Sequence, residues 1–264
     1  MRDMNAIVGA HDILLLVFDC LRYDVAAECL ATGRTPNLAK LLPPSGWEKR
    51  HAPGSFTLAS HQAFFAGFLP TPATPGRHSR PFAVRFQGSE TTGAQTCVFD
   101  APDIVTGLRG RGYRTVCIGG VGFFNKQNPL GNVLPGYFDE SHWSPALGVT
   151  DLKSTENQVA LARSILDGQE PGRRVFLFIN LSAIHQPNRF YLPGATEDSL
   201  ASHAAALEYV DRSLPPLFEA LKARGPTFCI LCSDHGEAYG EDGFHGHRIA
   251  HPVVWTVPYA EFCP

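Results

Sequence analysis

Four short apolar runs recur along this chain with almost no polar interruption: Ile13-Leu14-Leu15-Leu16-Val17-Phe18, Thr115-Val116-Cys117-Ile118, Val175-Phe176-Leu177-Phe178-Ile179 and Phe228-Cys229-Ile230-Leu231-Cys232. A strand with one wet face alternates apolar and polar residues, so continuous runs mark strands buried on both faces of a parallel sheet. Between them lie segments of helical period at Asp103–Arg111, Ser154–Leu166 and Ser199–Ala223. The last carries an apolar stripe of Ala205, Leu207, Val210, Leu214, Leu217, Phe218 and Leu221. Its Pro215-Pro216 pair is predicted to kink or restart the helix. Strands alternating with helices predict an α/β fold built on an open sheet, with functional groups gathered beyond the carboxyl ends of the strands. At 264 residues and 44% hydrophobic, residues 1–264 are expected to form a single domain. The Pro- and Gly-rich stretch Phe68–Gly93 reads as a long surface excursion.

Charge narrows the partners. A net charge of −3 without a basic cluster predicts no nucleic-acid partner and no anionic membrane surface. The first eleven residues lack the pattern of a leader peptide, and Ile13–Phe18 is too short to span a bilayer. The seven cysteines are an odd set, mostly in apolar segments, and read as reduced thiols. Cys229 and Cys232 have Cys-x-x-Cys spacing, but in one strand they face opposite ways and belong to the core. A cytoplasmic location is the expectation from these features.

The chemistry-bearing residues follow the apolar runs. Asp19 ends the first, Asn180 through His185 the third, and Ser233-Asp234-His235-Gly236-Glu237 the fourth, trailed by Gly243-Phe244-His245-Gly246-His247. Adjacent Asp and His at a rigid strand end offer oxygen and nitrogen ligands suited to a divalent metal. Ser55, Thr57 and Ser60 lie just ahead of a helix-like segment, Gln62–Gly67. A hydroxyl there faces unpaired N–H groups, a favourable place for an anion, and contact with a cation would lower its pKa. Each residue also has a plain structural reading. Asp19 could cap a helix starting at Leu21, Thr57 could cap the helix after it, Asp234-His235 could be a solvent-facing turn, and His185 and His247 could be structural. Ser55 and Ser60 compete with Thr57 as nucleophile, and His245 and His251 are weaker ligand candidates.

Taken together, four segments resemble the alkaline phosphatase and sulfatase superfamily, and within it the sulfatase-like hydrolase branch. Asp12 through Asp24 is similar to the first strand, whose terminal Asp binds metal. Thr57-Leu58-Ala59-Ser60-His61 lies where sulfatases have Cys/Ser-x-Pro-x-Arg and where relatives with Thr-x-Pro-Ser-His use the Thr as nucleophile. Asn180–Pro187 resembles a strand end whose histidine faces the substrate anion, and Ser233 through His247 resembles the closing metal motif. The resemblance implies a three-layer αβα sandwich around a mostly parallel sheet. It implies one divalent ion (zinc, manganese, magnesium or calcium) on Asp19, Thr57, Asp234 and His235. It implies catalytic roles for Thr57, His185 and His247, with His61, in place of the family's Arg, in a supporting position.

Departures from the pattern sharpen the expectation. No Cys lies in Ala52–His61 to serve as a formylglycine precursor, which disfavours sulfate-ester chemistry. The region 180–185 lacks the carboxylate that a second metal ion would need, so one ion is favoured. Cys20 stands where many sulfatases have a second Asp and is a candidate soft ligand tilting the site toward zinc. The sequence continues only briefly past Val253-Val254-Trp255, so the usual C-terminal subdomain is expected to be missing and the pocket to be open or completed by a second copy of the chain. The leading expectation is a metal-dependent phosphoesterase that hydrolyses a small-molecule anionic ester of phosphate or phosphonate. A phosphoethanolamine-type transferase, a sulfuric ester hydrolase and a non-catalytic metal-binding relative are the alternatives.

Overall fold

The structure is a computed structural model that describes residues 3–67, 103–170 and 172–264; the Phe68–Gly93 excursion lies outside them. The strands are β1 (Asp12–Phe18), β2 (Glu48–His51), β3 (Arg114–Ile118), β4 (Glu140–His142), β5 (Val175–Leu181), β6 (Thr227–Cys232), β7 (Ala238–Tyr239), β8 (His245–Gly246) and β9 (Thr256–Phe262). Among the described residues, seven of them form one sheet in the order β2-β9-β6-β1-β5-β3-β4, while β7 and β8 pair as a separate ribbon. The strands β6, β1, β5, β3 and β4 run parallel. Only β9 opposes them, antiparallel to both β6 and β2.

The four apolar runs became the inner strands β1, β3, β5 and β6, each almost wholly buried. The α-helices among the described residues are α1 (Met4–Ile7), α2 (Tyr23–Ala31), α3 (Pro36–Leu41), α4 (Thr57–Ala66), α5 (Ile104–Gly110), α6 (Ser154–Asp167), α7 (Leu200–Ser213), α8 (Pro215–Arg224) and α9 (Pro252–Trp255), with short 3-10 turns in several of the connections. The core has two parts, one on each face of the sheet. On one face Leu14, Leu16, Ile179 and Leu231 pack with Cys29 of α2, Ala162 of α6, Val210 of α7 and Leu217 of α8. On the other, Val17, Phe178 and Cys232 pack with Phe65 of α4 and Leu108 of α5. That division is the expected three-layer αβα sandwich, and it places Cys229 and Cys232 on opposite faces. The break expected at Pro215-Pro216 separates α7 from α8, since a proline at the first helical position has no N–H to lose.

Two aspartates bracket β1 and do different work. At the amino end Asp12 is 1% exposed, accepts the Val175 amide at 2.9 Å and pairs with Arg224 at 2.9 Å, tying β1 to β5 and to α8. At the carboxyl end lies Asp19. It does not cap a helix, because α2 begins at Tyr23 behind Arg22, and the Arg22 guanidinium grips Asp24 at 2.5 Å and also bonds Glu241.

Behind that ion pair, His203 of α7 is fully buried and accepts from the Arg22 amide at 3.4 Å. Burial, with the Arg22 charge adding to it, pushes this imidazole down to about 3. An unfolded chain takes up a proton at His203 from about pH 6.5 downward, whereas the folded chain refuses it until about pH 3. Stability is therefore lost as acid is added through that window, by at most about 1.4 kcal/mol per pH unit for this one group. Urea unfolding of a His203→Gln variant between pH 6.5 and 4 is expected to show a shallower pH slope than wild type. An unchanged slope would remove His203 as a cause of acid sensitivity.

Candidate metal centre

The parallel register sets the site. β1 lies between β5 and β6, with Val17 opposite both Asn180 and Cys232, so the carboxyl ends of the three strands finish side by side. Asp19 follows β1, Asn180 lies in the last turn of β5, and Ser233-Asp234-His235 follows β6. Cys20 turns the chain in the left-handed region at φ 67°, a costly conformation for a residue with a Cβ. That turn aims the Cys20 amide at Asp234 Oδ1, 3.3 Å away.

The hydroxyl segment arrives from the other face. The helix was expected to begin near Gln62, but α4 starts at Thr57 with the extended Phe56 at its cap, so Thr57 occupies the first turn. Its Oγ1 lies 3.5 Å from Asp19 Oδ2 and 3.4 Å from His235 Nε2. Ser60 is committed elsewhere, donating to the Asp234 carbonyl oxygen at 2.7 Å, which stitches α4 to the β6 strand end.

Asp19, Thr57, Asp234 and His235 are all buried, none more than 2% exposed. Ligand atoms of Asp19, Asp234 and His235 lie within 4.8 Å of one another. His235 Nε2 stands 3.9 Å from Asp19 Oδ1 and 3.5 Å from Asp234 Oδ2. Its Nδ1 faces the Gly236 carbonyl oxygen at 2.9 Å, an acceptor only, so that nitrogen carries the proton. The Nε2 lone pair is left for the centre. Burial holds this imidazole neutral, down at about 4, as a metal ligand must be.

Asp234 carries the most telling feature. Its Oδ1 accepts the Cys20 and His235 amides, whereas its Oδ2 is buried without a hydrogen-bond partner. Burial, then repulsion from Asp19, pushes its carboxyl well above the usual carboxylate range. For Asp19, burial acts upward too, but His185, His235 and the Asn180 amide at 2.9 Å outweigh it and hold the group below its ordinary value. Two buried carboxyl groups in one pocket, one with an orphaned oxygen, concentrate acidic oxygens without a full counter-charge, an arrangement that a cation would satisfy. The residues present fit a divalent ion.

The flanking residues divide in two. His247 Nδ1 is held at 2.8 Å by Glu237, a carboxylate only 1% exposed. The His247 ring packs on His235 with centroids 4.5 Å apart and on His185 at 5.5 Å. His61 sits behind the site with Nδ1 on the Thr57 carbonyl oxygen at 2.8 Å and 3.7 Å from Asp234 Oδ2. By contrast, His251 caps α9, and His245 is exposed on the β7–β8 ribbon. Cys20 belongs to two further triplets, with His235 and His247 and with Asp19 and His185. Its Sγ donates to Asp19 Oδ1 at 3.2 Å, and burial beside carboxylates drives the thiol far up, so it behaves as a donor. Glu237 and Asn180 were quoted in the sequence motifs without a role. Their signal was position, two residues past the metal-type His235 and at the end of a buried strand.

Thr57, His185 and His247 line one open cleft of about 340 Å³ together with Phe123, Asn125, Asn128 and Arg248. A hydroxyl and two imidazoles on one cleft, with the buried carboxylates behind Thr57, can bind an anionic ester and exchange protons with it.

Several solved structures share this fold. The C-terminal periplasmic domain of EptC from Escherichia coli, crystallised with zinc, superposes with a TM-score of 0.66 at 14% identity, over 97% of this chain and 74% of that one. The periplasmic domain of phosphoethanolamine transferase EptC from Campylobacter jejuni gives 0.62 at 15% identity, over 95% and 78%. The lipoteichoic acid synthase LtaP from Listeria monocytogenes gives 0.64 at 12%, over 97% and 66%. No curated protein matches the sequence. The cytoplasmic expectation is contradicted by these likenesses, since the EptC domains that share the fold are periplasmic. The absence of a leader pattern in the first eleven residues and an odd cysteine count are weak indicators of compartment. No helix among the described residues is long and apolar enough to cross a membrane. The sulfatase family model matches residues 11–259, nearly the whole chain, and the chain belongs to the Sulfatase family.

Proposed function

We propose that this protein is a metal-dependent hydrolase of phosphate or phosphonate esters that uses Thr57 as its nucleophile. The observation that carries the reading is the orphaned Oδ2 of Asp234, buried beside Asp19, His235 and Thr57. Asp19, Asp234, His235 and Thr57 would hold one divalent ion, which when bound supplies positive charge to the oxygens around it. The remaining steps belong to the chain. Thr57 Oγ1 forms a bond to phosphorus as the bond to the departing alcohol breaks, and its proton passes to Asp19 Oδ2, the carboxylate oxygen it faces at 3.5 Å. His185 or His247 protonates the departing oxygen. Glu237 keeps the His247 ring turned for that transfer. Water then attacks phosphorus, restores the Thr57 hydroxyl and releases the phosphate or phosphonate.

A second reading, transfer of a phosphoryl-linked group to an acceptor alcohol, draws support from the likeness to a phosphoethanolamine transferase and a lipoteichoic acid synthase. It shares the first half of the chemistry and differs only in what attacks the phosphothreonine. Sulfuric ester hydrolysis and metal binding without catalysis have less support, for want of a cysteine in 52–61 to become formylglycine and given the hydroxyl at the centre. Assays with zinc, manganese, magnesium or calcium against aryl phosphate mono- and diesters, phosphonate esters and aryl sulfates separate these readings. Release of aryl alcohol from phosphorus esters into water is the expected result. Release that requires an added acceptor alcohol would favour the transferase, and silence on every ester would end the catalytic reading.

A further inference from the structure

The cleft beside Thr57 has more polar lining than a single transferred group needs. Asn125, Asn128 and Arg248 line it together with the two histidines. Asn125 accepts the Gln127 amide on its Oδ1 at 2.9 Å, and Asn128 accepts the Gly131 amide on its Oδ1 at 2.8 Å. Both acceptor oxygens are used by the backbone, which fixes the side chains and leaves two NH₂ groups without a partner among the described residues. Arg248 is exposed and pairs with no carboxylate among the described residues, although most of the other arginines near the sheet do. Its placement is nonetheless fixed. The backbone is left-handed at φ 69°, its amide donates to Ser55 O at 2.8 Å, and the guanidinium lies 5.6 Å from the Phe56 ring centroid. Ser55 and Phe56 lead directly into Thr57, so the guanidinium is tethered to the nucleophile's own segment.

Every uncommitted polar group in this part of the lining is a donor. No Asp or Glu lines the cleft among the described residues, so nothing there would neutralise an ammonium group. We propose that Asn125, Asn128 and Arg248 form a subsite for a second anionic, acceptor-rich group carried by the alcohol portion of the ester, such as a carboxylate or another phosphate. The inference rests on the phosphoester reading above and deepens it. It names an ester with an anionic alcohol portion as the substrate class and disfavours a cationic one such as ethanolamine.

The test is binding, which does not require turnover. The metal-loaded protein is titrated calorimetrically with three unreactive ligands: phenylphosphonate, its para-carboxylate derivative and its para-trimethylammonium derivative. Wild type is expected to bind the carboxylate tenfold or more tightly than the ammonium compound, the range of a charge-assisted hydrogen bond. Arg248→Ala should close that gap to about threefold or less, and Arg248→Lys, which keeps the charge, should retain part of it. Asn128→Ala should narrow the gap by a smaller factor. The proposal is overturned if wild type prefers the ammonium ligand, if the gap survives in Arg248→Ala, or if that variant weakens all three ligands alike, which would assign Arg248 to the phosphoryl group itself. Failure to bind any of the three also overturns it. Turnover of matching esters reports separately: a protein that prefers the carboxylate but cleaves no ester keeps the subsite and loses the hydrolase reading.

Discussion

Thr57→Ala is expected to lower turnover of phosphorus esters by about 10⁴-fold or more, the scale on which loss of a covalent nucleophile is felt. Thr57 sits in the first turn of α4 with its Oγ1 at 3.5 Å from Asp19 and 3.4 Å from His235, and it lines the cleft in front of both groups. Its competitor Ser60 donates its hydroxyl to the Asp234 carbonyl oxygen, 2.7 Å away, and is not among the described residues that line the cleft. Three candidate ligands, two carboxylates and an imidazole, remain in the Thr57→Ala protein. Its metal content is therefore expected to stay near one ion per chain, while Thr57→Ser regains part of the activity. Activity within tenfold of wild type in Thr57→Ala, with loss in Ser60→Ala or Ser55→Ala instead, would move the nucleophile.

Asp234→Asn should act in opposite directions with and without metal. Asp234 is fully buried and its carboxyl is pushed up by burial and by Asp19, so the folded, metal-free protein holds that proton to higher pH than an ordinary carboxyl does. The unfolded chain ionises it near its ordinary value. Between that value and the raised folded value the folded state holds a proton the unfolded state has released, so metal-free stability falls as pH rises. An amide cannot ionise and is not repelled by Asp19. Metal-free Asp234→Asn is accordingly expected to be more stable than metal-free wild type at neutral pH, on the order of 1–2 kcal/mol, the scale of one unsatisfied buried polar group. With metal at about a thousand times its dissociation constant, wild type gains roughly 4 kcal/mol, and the variant gains little. Thermal unfolding with chelator and with added zinc or manganese reads both signs. A variant less stable than wild type in chelator, or stabilised equally by metal, would show that Asp234 is an ordinary structural carboxylate.

The sequence made the inner sheet legible because β1, β3, β5 and β6 are buried on both faces, leaving no room for polar interruption. Outer strands lack that constraint. β2 is Glu48-Lys49-Arg50-His51 and exposed throughout, and β4 is a half-buried Glu140-Ser141-His142, so neither has an apolar period to read. β9 alternates buried and half-buried residues around Pro258, and it was missed because the segment was read only as the end of the chain. At the site, the candidate ligands were visible as residues following buried strands. Asp12 and Asp19 nevertheless look equivalent in sequence, and only the direction of β1 separates a clamp on Val175 and Arg224 from a group at the functional end. The start of α4 was misplaced because Thr57-Leu58-Ala59-Ser60-His61 reads as a string of cap residues. In the fold its hydroxyls turn to groups across the site, and the backbone is free to be helical from Thr57 onward. Arg248 gave no signal at all, since its importance comes from the Ser55 and Phe56 contacts that the fold creates.

The most direct measurement is anomalous diffraction from a crystal of the protein loaded with zinc or manganese. One strong peak is expected, with Asp19, Asp234 and His235 at ordinary ligand distances of about 2.0–2.3 Å and Thr57 Oγ1 alongside. A peak bound elsewhere, or none at full metal loading, would contradict the account.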